Sequence, residues 1–220
     1  MGVLDPIKAS VLAVKIIPNV SGDLAQNLKL SPDQRSIGMF TCNIDDVGYT
    51  ALDEATKKAA VEAVYAKSFY AGAAHASGPL SGEFIGILAG PDPAEIKAGV
   101  AAALQCINEE ACFYSADPED KIAFYAHTIS RTGSYLSKAA DIAEGESLAY
   151  LIAPPLESIY GIDAALKAAD VRMAIWYGPP SETNFGGGLL TGSQSACKAA
   201  TEAFRDTVIA AARNPKDYEG

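Results

Sequence analysis

Eight short segments of this chain are alternating or continuous apolar runs bounded by turn residues, patterns typical of β-strands. Four segments lie in each half, and turn residues separate them. Trp176 falls in the seventh segment and is expected in the core. We expect strands over residues 10–17, 35–42, 64–70, 84–89, 123–130, 147–153, 171–177 and 188–191.

Apolar residues recur at helical spacing between the second and third strands of each half, and again after the fourth. Helices are therefore expected over residues 52–63 and 162–169, and a longer helix should close each half. Asp92 is placed to cap the first closing helix, with Pro93 at its first position and Glu95 in the capping-box place. Each half is predicted to have the order β-β-α-β-β-α.

The two halves are imperfect copies of each other. The segment that begins at Ser36 resembles the one that begins at Ser147, so the numbering of the two copies differs by an offset of 111; the offset falls to 110 in the next helix. We therefore predict two domains, residues 1–112 and 113–220, connected through residues 109–121. Each is expected to be an α+β unit with its helices packed on one sheet.

The composition excludes several classes of protein. The chain has 220 residues, 27 acidic and 17 basic side chains, and a net charge of −10. It has no run of Lys or Arg, the electrostatic signature of nucleic-acid binding. No apolar stretch reaches the ~18 residues of a membrane span, and the N-terminus lacks a basic signal region. We expect a soluble, cytosolic protein that binds neither nucleic acid nor a membrane.

Residue types that build metal, cofactor or catalytic sites are scarce. The cysteines Cys42, Cys106, Cys112 and Cys197 lack Cys-x-x-Cys spacing, and only two histidines are present. Buried, reduced thiols and no metal site are expected. The glycines at 186–188 precede no Gly-Lys-Ser/Thr, and no Gly-x-Ser-x-Gly occurs. We predict no cofactor, no catalytic residue and no enzymatic activity.

Longer motifs resemble a known family. Residues 160–171 (YGIDAALKAADV) form a helix ending in Lys-Ala-Ala-x-Val before a strand, and residues 187–192 (GGLLTG) form a glycine-bounded strand before a helix. With AGAAH at 71–75, SRTGSYL at 130–136 and APPLE at 153–157, the chain resembles the tandem-domain shell proteins of ethanolamine-utilization bacterial microcompartments. The resemblance implies two circularly permuted BMC domains, each a ferredoxin-like α/β sandwich.

The resemblance also implies assembly and partners. Three chains would form a homotrimer, a flat pseudohexameric tile that packs beside other shell proteins around ethanolamine-degrading enzymes. Ethanolamine would be its small-molecule ligand, and whether cobalamin also contacts the tile stays open. Lys57 and Lys167 match the lysine that lies at tile edges in this family, although Lys58 makes the register of the first copy ambiguous by one residue.

Two segments at equivalent places, residues 67–82 and 177–188, are rich in small residues whose backbone can move. In the family such loops surround a central pore that opens and closes. Without the resemblance, two surface loops are the simpler interpretation. The predicted gate residues are Tyr70, His75, Phe185, Gly186 and Gly187.

Acidic residues form a second candidate group, because Glu157 follows Asp46 at the same offset of 111 and so repeats it. Ethanolamine is a cation at neutral pH, and acids lining a narrow passage would concentrate it and disfavour anions. Solvent-facing caps of turns are the alternative for any one of these acids. The predicted small-pore site comprises Asp45, Asp46, Glu83, Phe113, Glu157 and Thr183.

Two other functions compete with the shell tile. A soluble trimeric sensor would bind an amine through the same acids without forming sheets. A small α+β enzyme acting on an amine would need a poised base or nucleophile, which the scarcity of His argues against.

Overall fold

The computed structural model describes residues 2–70, 78–119 and 121–216. The chain divides into two compact units. The N-terminal unit comprises Lys8–Ala111 together with Gly133–Ala139. The C-terminal unit comprises, within the described chain, residues 2–7, 112–132 and 140–216. The N-terminal unit therefore includes a short segment from the second half of the chain, residues 133–139. The C-terminal unit includes a short segment from the start of the chain, residues 2–7.

The described residues contain ten strands, six α-helices and one π-helical turn. The strands are β1 (Pro6–Lys8), β2 (Val11–Ile17), β3 (Ser36–Cys42), β4 (Glu62–Ser68), β5 (Phe84–Gly90), β6 (Cys112–Ser115), β7 (Ala123–Ile129), β8 (Ser147–Ala153), β9 (Val171–Tyr177) and β10 (Gly186–Gly192). The helices are α1 (Gly22–Asn27), α2 (Asp45–Lys58), α3 (Pro93–Gln105), α4 (Ser134–Ala140), α5 (Pro155–Ala168) and α6 (Gln194–Arg213), and the π-helical turn is Cys106–Glu110.

Both units have the same sheet topology. The N-terminal sheet has the order β2-β3-β5-β4, and the C-terminal sheet has the equivalent order β7-β8-β10-β9, extended by β6 and β1. Neighbouring strands of these two equivalent sets of four pair antiparallel. This repeated order confirms the predicted duplication and the α+β class.

Small residues let the helices approach the N-terminal sheet closely. A Cβ at Gly38 would lie 2.6 Å from Val100 and 2.7 Å from Ile96, so glycine on β3 makes room for α3. A Cβ at Gly48 would lie 2.4 Å from the Phe84 ring, so glycine on α2 accommodates that ring beneath the helix. The alternating pattern placed these strands correctly because their inward side chains are the ones the helices cover.

The C-terminal unit buries one continuous apolar cluster between its sheet and α5 and α6. Side chains of β7, β8 and β10 face those of both helices, as the repeated pattern predicts. Its fully or nearly buried members are Ala116, Phe124, Ala149, Leu151, Ala153, Ile162, Ala165, Leu190, Cys197, Ala200, Phe204, Val208 and Ile209.

Two predicted helices have the wrong ends. Helix α2 begins at Asp45, seven residues before the predicted residue 52, and α5 begins at Pro155 instead of residue 162. Asp45, Asp46 and Pro155 are typical residues for the first turn of a helix. The spacing of apolar residues alone did not include them in the predicted helices. Helix α2 also ends early, because Ala59 is extended (φ −146°, ψ 161°) and leads into β4.

Four short elements were not predicted. Helices α1 and α4 and strand β1 lie in segments for which no element was predicted. Strand β6 lies within the segment 109–121 that was expected to be a connection. Elements of three to seven residues give too few apolar repeats to show a period.

Predictions of single residues had mixed outcomes. Asp92 caps α3 as expected, because its Oδ1 accepts hydrogen bonds from Ala94 N (2.7 Å) and Glu95 N (3.0 Å). The capping-box role of Glu95 is wrong, since its Oε2 accepts from Ala60 N (2.7 Å) instead. Trp176 is also not in the core: it lies on the outer face of β9 and is 60% exposed.

The cysteines are free thiols, as expected from their spacing. Three of them, Cys42, Cys106 and Cys197, are buried, and Cys112 is half-buried. Burial raises the pKa of Cys42 and of Cys106 to about 12, so both are protonated and unreactive at neutral pH.

A buried carboxylate connects α2 to the segment 133–139. Asp53 is fully buried, and its two oxygens accept hydrogen bonds from Gly133 N and Leu136 N, both at 2.8 Å. Lys57 Nζ lies 3.4 Å from the same carboxylate. Burial raises the pKa of Asp53, although these N–H donors and Lys57 oppose the shift. Asp53 therefore caps the start of α4, a helix from a distant part of the sequence.

We expect Asp53→Ala to lower the free energy of unfolding by about 3 kcal/mol, because it leaves two buried N–H groups without an acceptor. Asp53→Asn should cost about 1–2 kcal/mol, since an amide has one acceptor oxygen. Urea denaturation followed by circular dichroism measures both. Asp206→Ala, on an exposed helical position, is the control and should change stability by less than about 0.5 kcal/mol. A loss for Asp53→Ala no larger than for the control would contradict this role.

Candidate functional site at the start of helix α2

Three of the predicted acids come together at one edge of the N-terminal sheet. Cys42 at the end of β3 pairs with Phe84 at the start of β5, and Glu83 N donates to the Cys42 carbonyl oxygen at 2.9 Å. Asp45 and Asp46 follow in the first turn of α2. Strand pairing thus places Glu83 beside two acids that are distant from it in sequence.

The turn before Glu83 requires glycine. Gly82 has φ +64°, and a Cβ there would lie 2.1 Å from the Cys42 carbonyl oxygen. Only glycine adopts this conformation at such a close approach without strain. Gly82 therefore fixes where Glu83 meets the end of β3.

The acids of this cluster are withdrawn from solvent. Asp45 is 7% exposed, Asp46 is 6% exposed and Glu83 is half-buried. Asp45 Oδ1 accepts a hydrogen bond from Asp46 N at 3.0 Å, as is usual for an acid in the first turn of a helix. The alternative, that acids at this turn face solvent, is wrong for Asp45 and Asp46.

The neighbouring acids affect the pKa values of Glu83 and Tyr49. Burial raises the pKa of Glu83, and the charge of Asp45 raises it further. Burial likewise raises the pKa of Tyr49, with smaller increases from Asp45 and Asp46, although the hydrogen bond of its hydroxyl with Ser68 Oγ (2.6 Å) lowers it. Negative charge is therefore concentrated at a poorly hydrated place, an arrangement that favours a cation.

Sequence reasoning missed Tyr49, Ser68 and Cys42 as neighbours of the acids. Tyr49 lies four residues after Asp45, on the same side of α2, but the predicted helix began only at residue 52. The acidic pair itself signals a helix start, and it would have placed Tyr49 beside the acids.

The remaining predicted site residues belong to the C-terminal unit. Phe113 is 5% exposed and packs against Tyr125 (ring centroids 5.2 Å) and Phe185 (5.9 Å, nearly perpendicular). The Thr183 hydroxyl lies 3.4 Å from Ser181 Oγ in the loop between β9 and β10. Phe113 is therefore part of an aromatic cluster of its own unit.

The predicted repeat of the acids is wrong. Strands β3 and β8 begin at Ser36 and Ser147, an offset of 111, but α2 begins at Asp45 and α5 at Pro155, an offset of 110. The loop before α5 is one residue shorter. Asp46 therefore corresponds to Leu156, and Glu157 does not repeat it. Only the N-terminal unit has an acidic pair at this place.

Among the predicted gate residues, Tyr70 is 62% exposed, Phe185 packs on Phe113, and His75 lies outside the described residues. The prediction that Gly186 and Gly187 lie in a loop is wrong, because both are buried within β10.

Close strand packing explains why glycine occurs there. Gly187 has φ +147°, and a Cβ there would lie 1.9 Å from the Leu151 carbonyl oxygen. Gly187 also pairs with Ile152 of β8 and Tyr177 of β9. This glycine is therefore required by the sheet itself.

The two predicted edge lysines have different surroundings. The ends of the two helices match at an offset of 110, so Lys57 corresponds to Lys167 and the ambiguity with Lys58 is resolved. Lys57 is 19% exposed and contacts Asp53 and Glu54. Lys167 is 75% exposed and forms an ion pair with Asp163 at 2.6 Å. Of the two, Lys167 is the one on an open surface.

The described ranges contain no group of three or more His, Cys, Asp or Glu residues arranged to hold a metal ion. Within the same ranges, no helix is long and apolar enough to cross a membrane.

Comparison with known proteins gives one consistent result. The BMC domain model matches residues 36–117. The chain is 59% identical to the bacterial microcompartment shell protein EutL of Clostridium perfringens, over 97% of this chain and 99% of that protein. It is 54% identical to EutL of Escherichia coli, over 98% of both chains.

A solved structure agrees over the whole chain. The crystal structure of the ethanolamine utilization protein EutL from Leptotrichia buccalis superposes with a TM-score of 0.96 at 64% identity, covering 99% of this chain and 100% of that one. The expected tandem-domain shell fold is thereby confirmed. The chain belongs to the EutL family of bacterial microcompartment shell proteins.

Proposed function

We propose that this shell protein forms a homotrimeric tile with no catalytic activity, through which a small organic cation, ethanolamine, passes or is sensed. Duplication supports the trimer, because three chains supply six equivalent domains for one closed ring. Other shell proteins of the same microcompartment would surround the tile. The withdrawn acidic cluster at the start of α2 is the single observation that carries the choice of ligand.

Ethanolamine suits this cluster chemically. Its ammonium group donates hydrogen bonds to carboxylates, as lysine does, and its hydroxyl can both donate and accept. The charges of Asp45 and Glu83 repel each other, and a bound cation would relieve that repulsion. The same negative charges would repel an anion, so the cluster also selects against anions.

We place the amine site at Asp45, Asp46 and Glu83, because these residues lie together within one unit. Phe113 and Thr183 remain candidates for the wall of the passage. Glu157 loses its support, since its predicted correspondence to Asp46 does not hold.

We expect Glu83→Gln and Asp45→Asn each to weaken ethanolamine binding by roughly tenfold to a hundredfold, because each removes one charged acceptor. Isothermal titration calorimetry on the full chain measures the change. Glu202→Gln, an equal loss of charge on the exposed face of α6, should bind as the unaltered protein does. Equal affinity of all four proteins would rule out this cluster as the amine site.

Binding should weaken as the pH falls through the raised pKa of Glu83. Protonated Glu83 loses its charge, whereas the ligand stays cationic because alkylammonium groups titrate near pH ~10. The decline should begin at a higher pH than for an ordinary glutamate, and Glu83→Gln should flatten it. Titrations across a pH series test this. A profile that is the same with and without Glu83 would contradict it.

We propose that the segments that follow β4 and β9 border the central pore. Tyr70 is exposed at one loop, whereas Phe185 is anchored by Phe113 at the other. Glycines 186 and 187 are not part of the moving segment in this proposal, since β10 contains them.

Tiling is the property that separates a shell tile from a soluble amine sensor. Lys167 is exposed at the end of α5 and matches the family's edge position. A lysine on an open edge can donate to a neighbouring tile through its flexible stem.

We expect Lys167→Ala to abolish two-dimensional sheets while leaving the trimer mass and ethanolamine affinity unchanged, because it removes an edge donor only. Negative-stain electron microscopy measures sheet formation, light scattering the trimer mass, and isothermal titration calorimetry the ethanolamine affinity. Lys198→Ala, at an exposed position of α6, is the matched control and should still form sheets. Sheets of normal extent with Lys167→Ala would favour the sensor.

A further inference from the structure

Helix α5 has an exposed apolar stripe. Leu156, Ile159 and Tyr160 are 62%, 54% and 56% exposed, and Asp163 follows on the same side with 57% of its side chain exposed. The spacing i, i+3, i+4, i+7 places all four on one side of the helix. They border a groove of about 510 Å³ that the end of α6 completes. Such a stripe on a soluble protein marks an interaction surface.

The corresponding stripe of α2 is covered. At the offset of 110, the equivalent residues are Asp46, Tyr49, Thr50 and Asp53. Thr50 is 1% exposed and Asp53 is fully buried. The covering segment is 133–139: Tyr135 stacks on Tyr49 (ring centroids 6.2 Å, 7° between planes), and Asp53 caps the start of α4. Within one chain, the stripe of α2 is therefore already covered by a short helical segment.

Helix α1 is the counterpart of α4, at an offset of 112. Both are followed by a residue with a left-handed backbone, Lys29 (φ 56°) and Asp141 (φ 51°). Leu24 therefore corresponds to Leu136. Leu136 is 2% exposed, whereas Leu24 is 39% exposed and α1 buries none of its residues. The chain therefore contains a second copy of the covering segment, and this copy leaves its apolar side chain in solvent.

We propose that α1 of a second copy of this chain docks on the exposed stripe of α5, with Leu24 in the groove and Asp163 accepting hydrogen bonds from the first N–H groups of α1. The contact repeats between chains what Asp53 and α4 do within one chain. It rests on the proposed ring, because it names the surfaces that join one subunit of the trimer to the next.

The start of α1 and the carboxylate of Asp163 are chemically complementary. The side chain of Ser21, the residue before α1, forms no cap, so the helix start can accept a carboxylate from outside. Asp163 pairs with Lys167 at i+4, as Asp53 pairs with Lys57. The acceptor carboxylate is therefore present in the second copy of the site.

One difference sets the distance of approach. Gly133 lies so close to α2 that a Cβ would be 2.3 Å from Thr56 Oγ1 and 2.6 Å from the Asp53 carbonyl oxygen. Its counterpart is Ser21, which has a Cβ. Helix α1 must therefore lie farther from α5 than α4 lies from α2, and Ser21→Gly would permit a closer contact.

Sedimentation velocity over a dilution series of the full chain tests the proposal. Leu24→Asp and Asp163→Lys should each raise the concentration at which the trimer dissociates by at least about tenfold, with unchanged circular dichroism. Both residues are exposed in the single chain, so neither change should disturb folding. Asp206→Lys, at an exposed helical position outside the groove, should leave the trimer intact.

Ser21→Gly provides a test in the opposite direction, because it should hold the trimer together at least as well as the unaltered chain. Trimers that dissociate identically in all variants would overturn the docking of α1 on α5 while leaving the trimer itself standing. An unaltered chain that stays monomeric at every concentration would overturn the proposed ring, and the docking with it. Weakening by Asp206→Lys as strong as by Asp163→Lys would also overturn the proposal.

Discussion

The contact between the Asp53 carboxylate and the start of α4 is the constraint on which the rest of the chain's organisation depends. A buried charge is stable only when its oxygens are occupied, and two backbone N–H groups at 2.8 Å with a nearby lysine meet that need. Neither donor is local in sequence. The carboxylate therefore specifies which segment covers α2, and it brings residues 133–139 into a unit otherwise made from the first half.

The acidic cluster at the start of α2 differs from Asp53 in its electrostatic surroundings. Burial and repulsion from Asp45 both raise the pKa of Glu83, and no lysine or arginine of the described chain offsets that shift. The same helix thus has a hydrogen-bonded acid near its end and, at its start, Asp45, whose charge raises the pKa of Glu83. Protein stability alone would favour fewer charges there, and the cation binding proposed above would stabilise them.

The sequence was sufficient for the repeated topology, for all eight long strands and for the cap of α3, because period and cap chemistry are local signals. The sequence was insufficient where contacts between residues far apart in the chain determine the local structure. Counting residues matched Glu157 to Asp46, and only the observed helix starts revealed the one-residue deletion between them. The glycines of β10 suggested a mobile loop, although close approach to Leu151 explains Gly187. The capping role of Asp53 left no sequence signal, since its donors are backbone groups.

In the proposed assembly, one type of contact, a helical aspartate capping the start of a short helix, is used once within the chain and once between chains. Hydrogen exchange of backbone amides in the assembled protein tests it most directly. Amides at 133–136 and at 21–24 should both exchange slowly, and protection at 21–24 alone should be lost when the assembly is diluted to single chains. Rapid exchange at 21–24 in the assembled protein, with 133–136 protected, would contradict the account.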